Sequence, residues 1–322
     1  MTETRTILYL SENDLAGLGI TTEETIQAIE ALIHGRAQSK VWWAPKAAIL
    51  PDDGRYMMAT LAAADEPSIM AVKSVLLSPR NSERGLPQIN GLITVMDSET
   101  GLPLACMDAG WITAVRTAAL SAVAAKCLAR ADASVAAFIG CGVQAHSHLQ
   151  AFASLYPLRE VRAFGRGRPN IDALCQSAAA LGLSAVVCDT AEEVITGADL
   201  IITSVTFSAT MEPFLDARSL KPGCFAAITD LAAPWIKDSF AALDRIVIDD
   251  LDQEASMSNK LADPALINGD LSGLVLGKVA GRGSAAERTA FIFRGHAIGD
   301  LALSALAYKR ASEAERGAVI QV

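Results

Sequence analysis

The sequence predicts an α/β protein that combines a doubly wound parallel-sheet domain with an α+β domain, and three observations support this. From Ala133 onward, short runs of β-branched and apolar residues alternate with helical stretches, which is typical of a parallel sheet covered by helices. A glycine-rich turn at 140–145 follows the first of these runs. The first 127 residues lack the alternation and mix helix, strand and turn patterns.

Two helices are predicted near the N-terminus. Ser11 is the expected N-cap of the first, and Thr21 or Thr22 of the second, because acidic residues follow just inside each helix. The turn sequences at 51–54 and 97–101 then indicate strands joined by tight connections.

A helix predicted over 111–129 leads into the doubly wound domain, which we place at 128–295. Its predicted strands are Ser134–Ile139, Val161–Phe164, Ser184–Cys188, Asp199–Val205, Cys224–Ile228 and Arg245–Ile248. The helix candidates between them are 144–155, 169–181, 190–197 and 238–243. A last helix over 297–310 is expected to return to the first domain, so that 1–127 and 296–322 form one domain.

Composition excludes several classes of protein. Lys and Arg total 27 and Asp and Glu total 36, and the net charge of −9 disfavours binding to nucleic acid or anionic lipid. Six cysteines without CxxC spacing predict reduced thiols and a cytoplasmic protein. No signal peptide and no uncharged apolar run of about 18 residues is evident, so no membrane segment is expected. Hydrolase, NTPase and zincin motifs are also lacking.

The segment Gly140-Cys-Gly-Val-Gln-Ala145 has the context of a dinucleotide-binding turn, because it follows an apolar strand and opens a helix. Gly140 permits the tight turn, Gly142 lets the backbone approach a pyrophosphate, and the small Ala145 allows the helix to pack closely on the strand. The alternative is an ordinary turn between strand and helix. The residues assigned to cofactor binding in this Rossmann domain are Gly140, Gly142, Val143 and Gln144.

The end of the second predicted strand bears on which dinucleotide is bound. In Phe164-Gly-Arg-Gly-Arg168 there is no carboxylate to bind the ribose of NAD(H), whereas Arg166 and Arg168 can meet a 2′-phosphate. The pattern favours NADP(H), and NAD(H) is an alternative. If the two arginines have no function here, they are ordinary solvated surface residues. Thr203, in the fourth predicted strand, is assigned to the same cofactor site.

Two long cations interrupt apolar stretches of the first domain. Lys73 lies in the run Ile69–Leu77, and Arg116 in a helix otherwise made of small and apolar residues. Each is either extended to the surface or buried against an anion. A pair of such cations could hold a substrate carboxylate, with Arg116 binding it in bidentate fashion.

Asp230 follows the fifth predicted strand, at the edge of an α/β sheet where ligands bind. It is therefore a candidate general acid or base, and the alternative is an N-cap or Asx-turn residue. The later pair Asp249 and Asp250 is expected to serve the turn after the sixth strand.

The histidines predict no metal site. His146 and His148 are two residues apart on a helix, so they face different directions, and no third ligand stands nearby. His296 lies beside Gly295, and a substrate role for it is not favoured.

Taken together, the motifs resemble the ornithine cyclodeaminase/mu-crystallin family over nearly the whole chain. The segments that carry the resemblance are Val72-Lys-Ser74, Gly85-Leu-Pro87, Asp97–Ala105, Thr113–Ala119, Gly140–Gln144, Leu220-Lys-Pro-Gly223, Val247–Asp250 and Ala297-Ile-Gly-Asp300. The resemblance implies a first domain that binds substrate and forms a homodimer, and a Rossmann domain that holds NAD(H) or NADP(H).

The resemblance also implies roles for individual residues. Lys73 and Arg116 match residues that hold the substrate carboxylate, and Asp230 matches an aspartate that transfers protons at the amine. Lys46 stands where an arginine usually reaches the same carboxylate, and Gln88, next to the Gly85-Leu-Pro87 segment, is assigned to substrate binding. The catalytic assignments are thus Asp230 and Lys73.

Two departures from the family pattern bear on the reaction. The segment Arg55–Met58 lacks the glutamate that the resemblance associates with ornithine cyclodeaminase, and the residues after Asp230 are not the cyclodeaminase ones. The expected function is therefore an NAD(P)H-dependent reductase of a small imino acid, most simply a cyclic ketimine such as pyrroline- or piperideine-2-carboxylate. The alternatives are ornithine cyclodeaminase, an opine or amino-acid dehydrogenase, and a binding protein that has kept the cofactor without catalysis.

Overall fold

A computed structural model describes residues 5–206 and 211–321 of the chain. The chain divides into two compact units, one comprising residues up to Arg116 together with those from His296 onward, the other Thr117–Gly295. The division falls inside a helix, whereas the sequence expectation placed it at residues 127 and 128.

The first unit begins with two helices and a run of strands. The elements are β1 (Thr6–Leu10), α1 (Glu12–Ala16), α2 (Thr22–Ala37), β2 (Val41–Ile49), β3 (Tyr56–Ala64), β4 (Ile69–Leu77), β5 (Ile89–Met96), β6 (Pro103–Asp108) and α3 (Ala109–Leu128). Ser11 and Thr21 form capping boxes with Asp14 and Glu24, so Thr21 rather than Thr22 is the second N-cap.

The second unit alternates strands with short helices, after which the chain returns to the first unit. Its elements are β7 (Val135–Ile139), α4 (Val143–Leu155), β8 (Glu160–Phe164), α5 (Arg168–Ala180), β9 (Ser184–Val187), α6 (Ala191–Ile195), β10 (Leu200–Thr203), β11 (Phe225–Ile228), β12 (Arg245–Ile248), α7 (Leu251–Ser256), β13 (Ile267–Asp270), α8 (Leu271–Val275) and β14 (Thr289–Ile292). The returning elements are α9 (Ala297–Glu313) and β15 (Ala318–Gln321).

All strand pairs of the second sheet are parallel, in the order β13-β12-β14-β11-β10-β7-β8-β9. The order reverses between β7 and β10, which is the switch point of a doubly wound sheet and the position where such sheets bind ligands. The predicted Rossmann fold is confirmed. Strands β13 and β14 were not predicted, and β14 lies between β11 and β12. The helix expected at 238–243 is a 3₁₀ turn, Lys237–Ala242, which is typical of a short connector and ends two residues before β12.

The first unit is built on a seven-stranded sheet in the order β15-β1-β6-β5-β4-β3-β2. Strands β2 to β6 form an antiparallel meander, and β1 is parallel to β6. In β4 alternate residues, including Ala71, Lys73 and Val75, are buried, and α9 packs against both β3 and β4. One face of this sheet therefore belongs to the core, and Lys73 lies on that face.

Helix α3 carries the chain from the first unit into the second. Within the described residues it is the one helix long and apolar enough to match a membrane span, and 72% of its apolar window is buried in the fold. Its buried positions include Ile112, Leu120 and Val123, together with the cation Arg116. The helix is accordingly accounted for as a core helix of this fold.

Candidate active site

Lys73 and Arg116 meet a carboxylate in the core of the first unit. The Lys73 Nζ donates to Asp300 Oδ1 at 2.7 Å, and the Arg116 Nε lies 2.9 Å from the same oxygen. Thr60, paired with Lys73 across β3 and β4, donates its hydroxyl to Asp300 Oδ2 at 2.9 Å. The exposed fractions of the Lys73, Arg116 and Asp300 side chains are 0%, 3% and 2%. Both cations are thus buried against an anion, and the surface alternative is wrong.

The cluster has one more positive than negative charge when its groups are ionised. Burial, together with the nearby charges of Arg116 and Lys46 and against the opposing effect of Asp300, lowers the pKa of Lys73 to about 7. Burial also raises the pKa of Asp300, but Arg116, Lys73 and the Thr60 hydroxyl outweigh it and hold that pKa below its ordinary value. With two cations and one carboxylate, the ionised cluster carries a net charge of +1, which suits it to a substrate carboxylate.

Lys46 and Gln88 lie on neighbouring elements of the first unit. Lys46 is half-buried in β2, where the register with β3 shifts between Ala44 and Ala47, and its Nζ lies 5.6 Å from the centre of the Tyr56 ring. Its charge is the smallest of the effects that lower the pKa of Lys73, after burial and Arg116. Gln88 precedes β5 and is half-buried, and its carbonyl accepts from the Ser78 amide at 2.9 Å.

His296 is the N-cap of α9. Its Nδ1 accepts from the Ile298 amide at 3.0 Å, and its ring meets Trp43 edge-on at 4.7 Å between centroids. Four residues later the same helix presents Asp300. The observed role of His296 is therefore to begin the helix that supplies the carboxylate.

The glycine turn of the second unit has the geometry expected of it. Gly140 has φ +89°, and a Cβ there would lie 2.6 Å from the Ser204 carbonyl oxygen, so only glycine fits. Gly142 is the N-cap of α4, and a Cβ there would have no atom within 4 Å, which leaves open space before the helix N-terminus. Ala145 is fully buried, as close helix packing requires.

The two residues after Gly142 differ in exposure. Val143 is 69% exposed at the start of α4, whereas the Gln144 side chain has a buried Oε1 that finds no hydrogen-bond partner in the described parts of the chain. The open space and the helix N-terminus fit a bound phosphate, and the buried oxygen fits a hydroxyl donor such as one on the ribose of a nucleotide.

The arginines after β8 differ from one another. Arg168 opens α5, is 70% exposed and pairs with Asp172 at 2.8 Å. Arg166 is exposed in the loop between β8 and α5. Because Asp172 compensates part of the charge of Arg168, Arg166 is the better candidate for binding an anionic ligand.

Asp230 follows β11 and is held from the end of the neighbouring strand β10. Its Oδ1 accepts from the Thr203 hydroxyl and its Oδ2 from the Val205 amide, each at 3.0 Å. In the following turn the Ala233 amide donates to the Asp230 main-chain carbonyl at 3.1 Å, whereas the carboxylate is held by Thr203 and Val205. Burial raises the pKa of Asp230 to about 6, although these hydrogen bonds act against the rise. The carboxyl group is therefore partly protonated near neutral pH.

Thr203 ends β10 and lies beside Asp230. Its side chain is fully buried, its hydroxyl donates to Asp230, and the same oxygen accepts from the Trp235 Nε1 at 3.3 Å. The hydroxyl both donates and accepts, so it orients the Asp230 carboxylate. The assignment of Thr203 to the cofactor site stays a prediction.

The described residues contain no group of three or more His, Cys, Asp or Glu side chains placed to hold a metal. The His146 Nδ1 pairs with the Ser177 hydroxyl at 3.1 Å, and His148 is buried with its Nε2 at 2.9 Å from the Ser121 hydroxyl. Asp250 serves the turn after β12, as predicted, whereas Asp249 holds the loop after β14. Asp249 accepts from backbone amides at Arg294 and Gly295, and Asp250 caps α7.

In the second unit, parallel strands end together at one edge of the sheet, and that edge carries Gly140 after β7, Arg166 after β8 and Asp230 after β11.

Residues 12–315 match the sequence profile of the ornithine cyclodeaminase/mu-crystallin family. The chain belongs to this family.

Three members of the ornithine cyclodeaminase/mu-crystallin fold group show the extent of the similarity. The ketimine reductase mu-crystallin of Mus musculus is 31% identical over 242 residues, covering 74% of this chain and 75% of that protein. The Δ1-pyrroline-2-carboxylate reductase of Thermococcus litoralis, solved with NADH and L-proline, gives a TM-score of 0.90 at 27% identity and covers 97% and 99% of the two chains. An archaeal alanine dehydrogenase dimer with bound NAD gives 0.87 at 27% identity and covers 98% and 99%.

The sequence did not identify Asp300 as the counterion of Lys73 and Arg116. In the sequence it stands out only as part of the Ala297-Ile-Gly-Asp300 segment. The signal available was a carboxylate in the first turn of a helix otherwise made of small and apolar residues, where a buried charge demands a partner.

Proposed function

We propose that this protein is an NAD(P)H-dependent reductase of small imino acids, with cyclic ketimines such as pyrroline-2-carboxylate or piperideine-2-carboxylate as substrates. The observation that carries the proposal is Asp230, a buried carboxyl group with a pKa of about 6 at the edge of a doubly wound sheet. Reduction of a C=N bond needs a proton for the nitrogen, and a group that titrates near neutral pH can supply it. Two relatives named as reductases of such substrates support the assignment.

The first unit supplies the groups that recognise the substrate. Lys73 and Arg116 bind the carboxylate of the imino acid, which fixes the position of the neighbouring C=N carbon. Lys46 adds positive charge to this site, and Gln88 is the remaining residue proposed to contact substrate. Lys73 acts as a catalytic residue in the sense that it touches the substrate.

The second unit supplies the proton and the nucleotide site. Asp230 gives its proton to the imine nitrogen in reduction and takes one from the amine in the reverse direction. When bound, the nicotinamide supplies a hydride equivalent to the imine carbon. Gly140, Gly142, Val143 and Gln144 hold the nucleotide at the N-terminus of α4, where the open space fits its pyrophosphate and the unsatisfied Gln144 Oε1 fits a hydroxyl donor of its ribose.

Two glycine variants separate the fold from nucleotide binding. Gly140→Ala is expected to lower the free energy of unfolding by about 1–3 kcal/mol, because its φ is positive and its Cβ meets the Ser204 carbonyl. Gly142→Ala is expected to cost less than about 1 kcal/mol, because its φ is −86° and the space around it is open, but to weaken NAD(P)H binding. Urea unfolding and NAD(P)H fluorescence titration measure the two effects. Undiminished NAD(P)H binding by Gly142→Ala would contradict the proposed site.

NADP(H) is the proposed cofactor of the two, with Arg166 as the contact to its 2′-phosphate. Arg166→Ser is expected to raise the Kd for NADPH about tenfold or more and to leave the Kd for NADH unchanged, because one charge-assisted contact is lost. Arg168→Ser is the matched control, and its effect is expected to be smaller because Asp172 already pairs with Arg168. Equal losses for NADPH and NADH in Arg166→Ser would argue against the assignment.

A homodimer formed through the first unit is part of the proposal. Trp42, Leu61 and Leu92 are each more than 40% exposed, and the register of β2 to β5 places them on the sheet face opposite Lys73. An exposed apolar sheet face of this kind is typical of a protein interface. The related archaeal alanine dehydrogenase is a dimer. Sedimentation equilibrium that gave the mass of a single chain would contradict this part of the proposal.

The activity itself is tested by mixing the protein with NADPH or NADH and either cyclic imine, and following the loss of absorbance of the reduced nucleotide. Oxidation with a cyclic imine establishes the reductase. Activity with pyruvate and ammonia instead would identify an amino-acid dehydrogenase like the archaeal relative. Ammonia and proline formed from ornithine, without net NADH, would identify a cyclodeaminase.

A further inference from the structure

Asp300 contacts the other three polar side chains of the buried cluster in the first unit, those of Thr60, Lys73 and Arg116. It lies in the first turn of α9, where its Oδ1 is shared by the Lys73 ammonium and the Arg116 guanidinium and its Oδ2 accepts from the Thr60 hydroxyl. The three elements that converge on it are therefore β3, β4 and α3. Because each carboxylate oxygen has a partner, the position of Asp300 is fixed from several sides.

Two buried cations repel each other, and an anion in contact with both reduces the unfavourable electrostatic energy. Lys73 and Arg116 are almost wholly inaccessible to water, so hydration cannot screen their charges. Asp300 lies within 3 Å of both and offsets one of the two charges. A second positive charge is left over, so the cluster can still attract an anionic group.

We propose that Asp300 is a positioning residue that keeps Lys73 protonated and fixes Lys73 and Arg116 as a single carboxylate-binding unit. This inference rests on the proposed function, because it assigns to Asp300 the organisation of the groups that bind the imino-acid carboxylate. Asp300 itself does not touch the substrate. Its negative charge determines over which pH range the unit is cationic enough to bind.

The charged groups that face Lys73 are Arg116 from α3, Asp300 from α9 and Lys46 from β2. Burial, Arg116 and Lys46 lower the pKa of Lys73 and Asp300 alone among these groups raises it, which leaves it at about 7. Lys73 is protonated below its pKa, so carboxylate binding is strongest at low pH and weakens as pH rises above about 7. Removing the charge of Asp300 lowers the pKa of Lys73 further, by about 1–3 units for an adjacent opposite charge.

The test measures binding rather than turnover. Pyrrole-2-carboxylate, a planar carboxylate that cannot be reduced as an imine, is titrated calorimetrically into the NADPH-saturated wild-type protein and Asp300→Asn between pH 5.5 and 9. We expect the decline in affinity to begin at least one pH unit lower in Asp300→Asn, and its affinity at pH 7.5 to be about tenfold weaker. The Kd for NADPH is expected to be unchanged, which shows that the variant is folded. Thr60→Val, which keeps the charge of Asp300, is the matched control and should keep the wild-type midpoint.

A second readout makes the result independent of the substrate class. In protein labelled with [ε-¹³C]lysine, the Lys73 signal is assigned with Lys73→Met and titrated in the wild type and in Asp300→Asn. A lower Lys73 midpoint in Asp300→Asn supports the proposal even if no cyclic imino acid is a substrate, an outcome that would overturn only the proposed function. Equal midpoints in the two proteins overturn the role of Asp300. If Asp300→Asn does not fold, Asp300→Glu replaces it: a shifted carboxylate is expected to weaken binding about tenfold with the wild-type midpoint, and wild-type affinity would overturn the proposal.

Discussion

Replacing Asp230 by asparagine is expected to lower kcat for imino-acid reduction by about 10²- to 10⁴-fold while leaving the Kd for NADPH unchanged. The amide keeps the size of the side chain and can still accept from Thr203 or Val205, but it cannot release a proton to the imine nitrogen. Steady-state kinetics with a cyclic ketimine and fluorescence titration with NADPH measure the two quantities. Asp252→Asn changes an exposed carboxylate of the same unit and should behave as wild type.

The raised pKa of Asp230 also predicts the direction in which the reaction rates change with pH. Because the pKa of Asp230 is raised to about 6, its protonated form declines as pH rises through 6, and the rate of reduction should fall over the same range. Amino-acid oxidation needs the carboxylate form as a base, so its rate should rise there. Thr203→Val removes a hydrogen bond that lowers the pKa of Asp230, and both midpoints should then move to higher pH. An Asp230→Asn protein with the wild-type pH profile and rate would remove Asp230 from the mechanism.

Replacing Lys73 by methionine is expected to lower kcat/KM by about 30- to 3,000-fold, since truncating one member of a buried charge pair costs about 2–5 kcal/mol and each 1.4 kcal/mol is a factor of ten. Methionine has a similar length but no charge, so the substrate carboxylate loses one of its two principal cations. Asp300 also keeps only Arg116 as an ionic partner, and the free energy of unfolding should fall.

Lys40→Met is the control for this variant, because Lys40 is 45% exposed and pairs with Glu66 at 3.5 Å on the surface. Its kcat/KM and unfolding midpoint should stay close to those of the wild type. The NADPH affinity of Lys73→Met should also be retained, since the glycine turn is in the other unit. A Lys73→Met protein that reduces the imine with the wild-type kcat/KM would refute the carboxylate role.

The second unit was largely predictable from the sequence, whereas the ion pairs of the first were not. The six predicted strands and the glycine turn at Gly140 follow from local patterns, namely apolar runs and a glycine that must adopt a positive φ. The position of β14 between β11 and β12 depends on long-range pairing, which no local pattern encodes. Lys73 could be recognised as an anomaly in a strand, but its partner Asp300 is 227 residues away.

The same distinction applies to Asp230 and Thr203. Asp230 could be located because the carboxyl ends of parallel strands bind ligands, a rule that needs only the order of the elements. The partnership of Thr203 with Asp230 depends on which strand lies beside β11, and on a side-chain orientation that Trp235 helps to fix. A buried threonine in an apolar strand gives no sign of this in the sequence.

The first unit takes its elements from both ends of the chain, because β15 pairs with β1 and α9 packs on β3 and β4. The second unit is continuous in the chain and leaves the ribosome before α9 does, so it can begin to fold first. The sheet of the first unit must wait for α9, because without Asp300 its folding would bury Lys73 and Arg116 without their counterion. The arrival of α9 therefore controls when the carboxylate-binding unit can form.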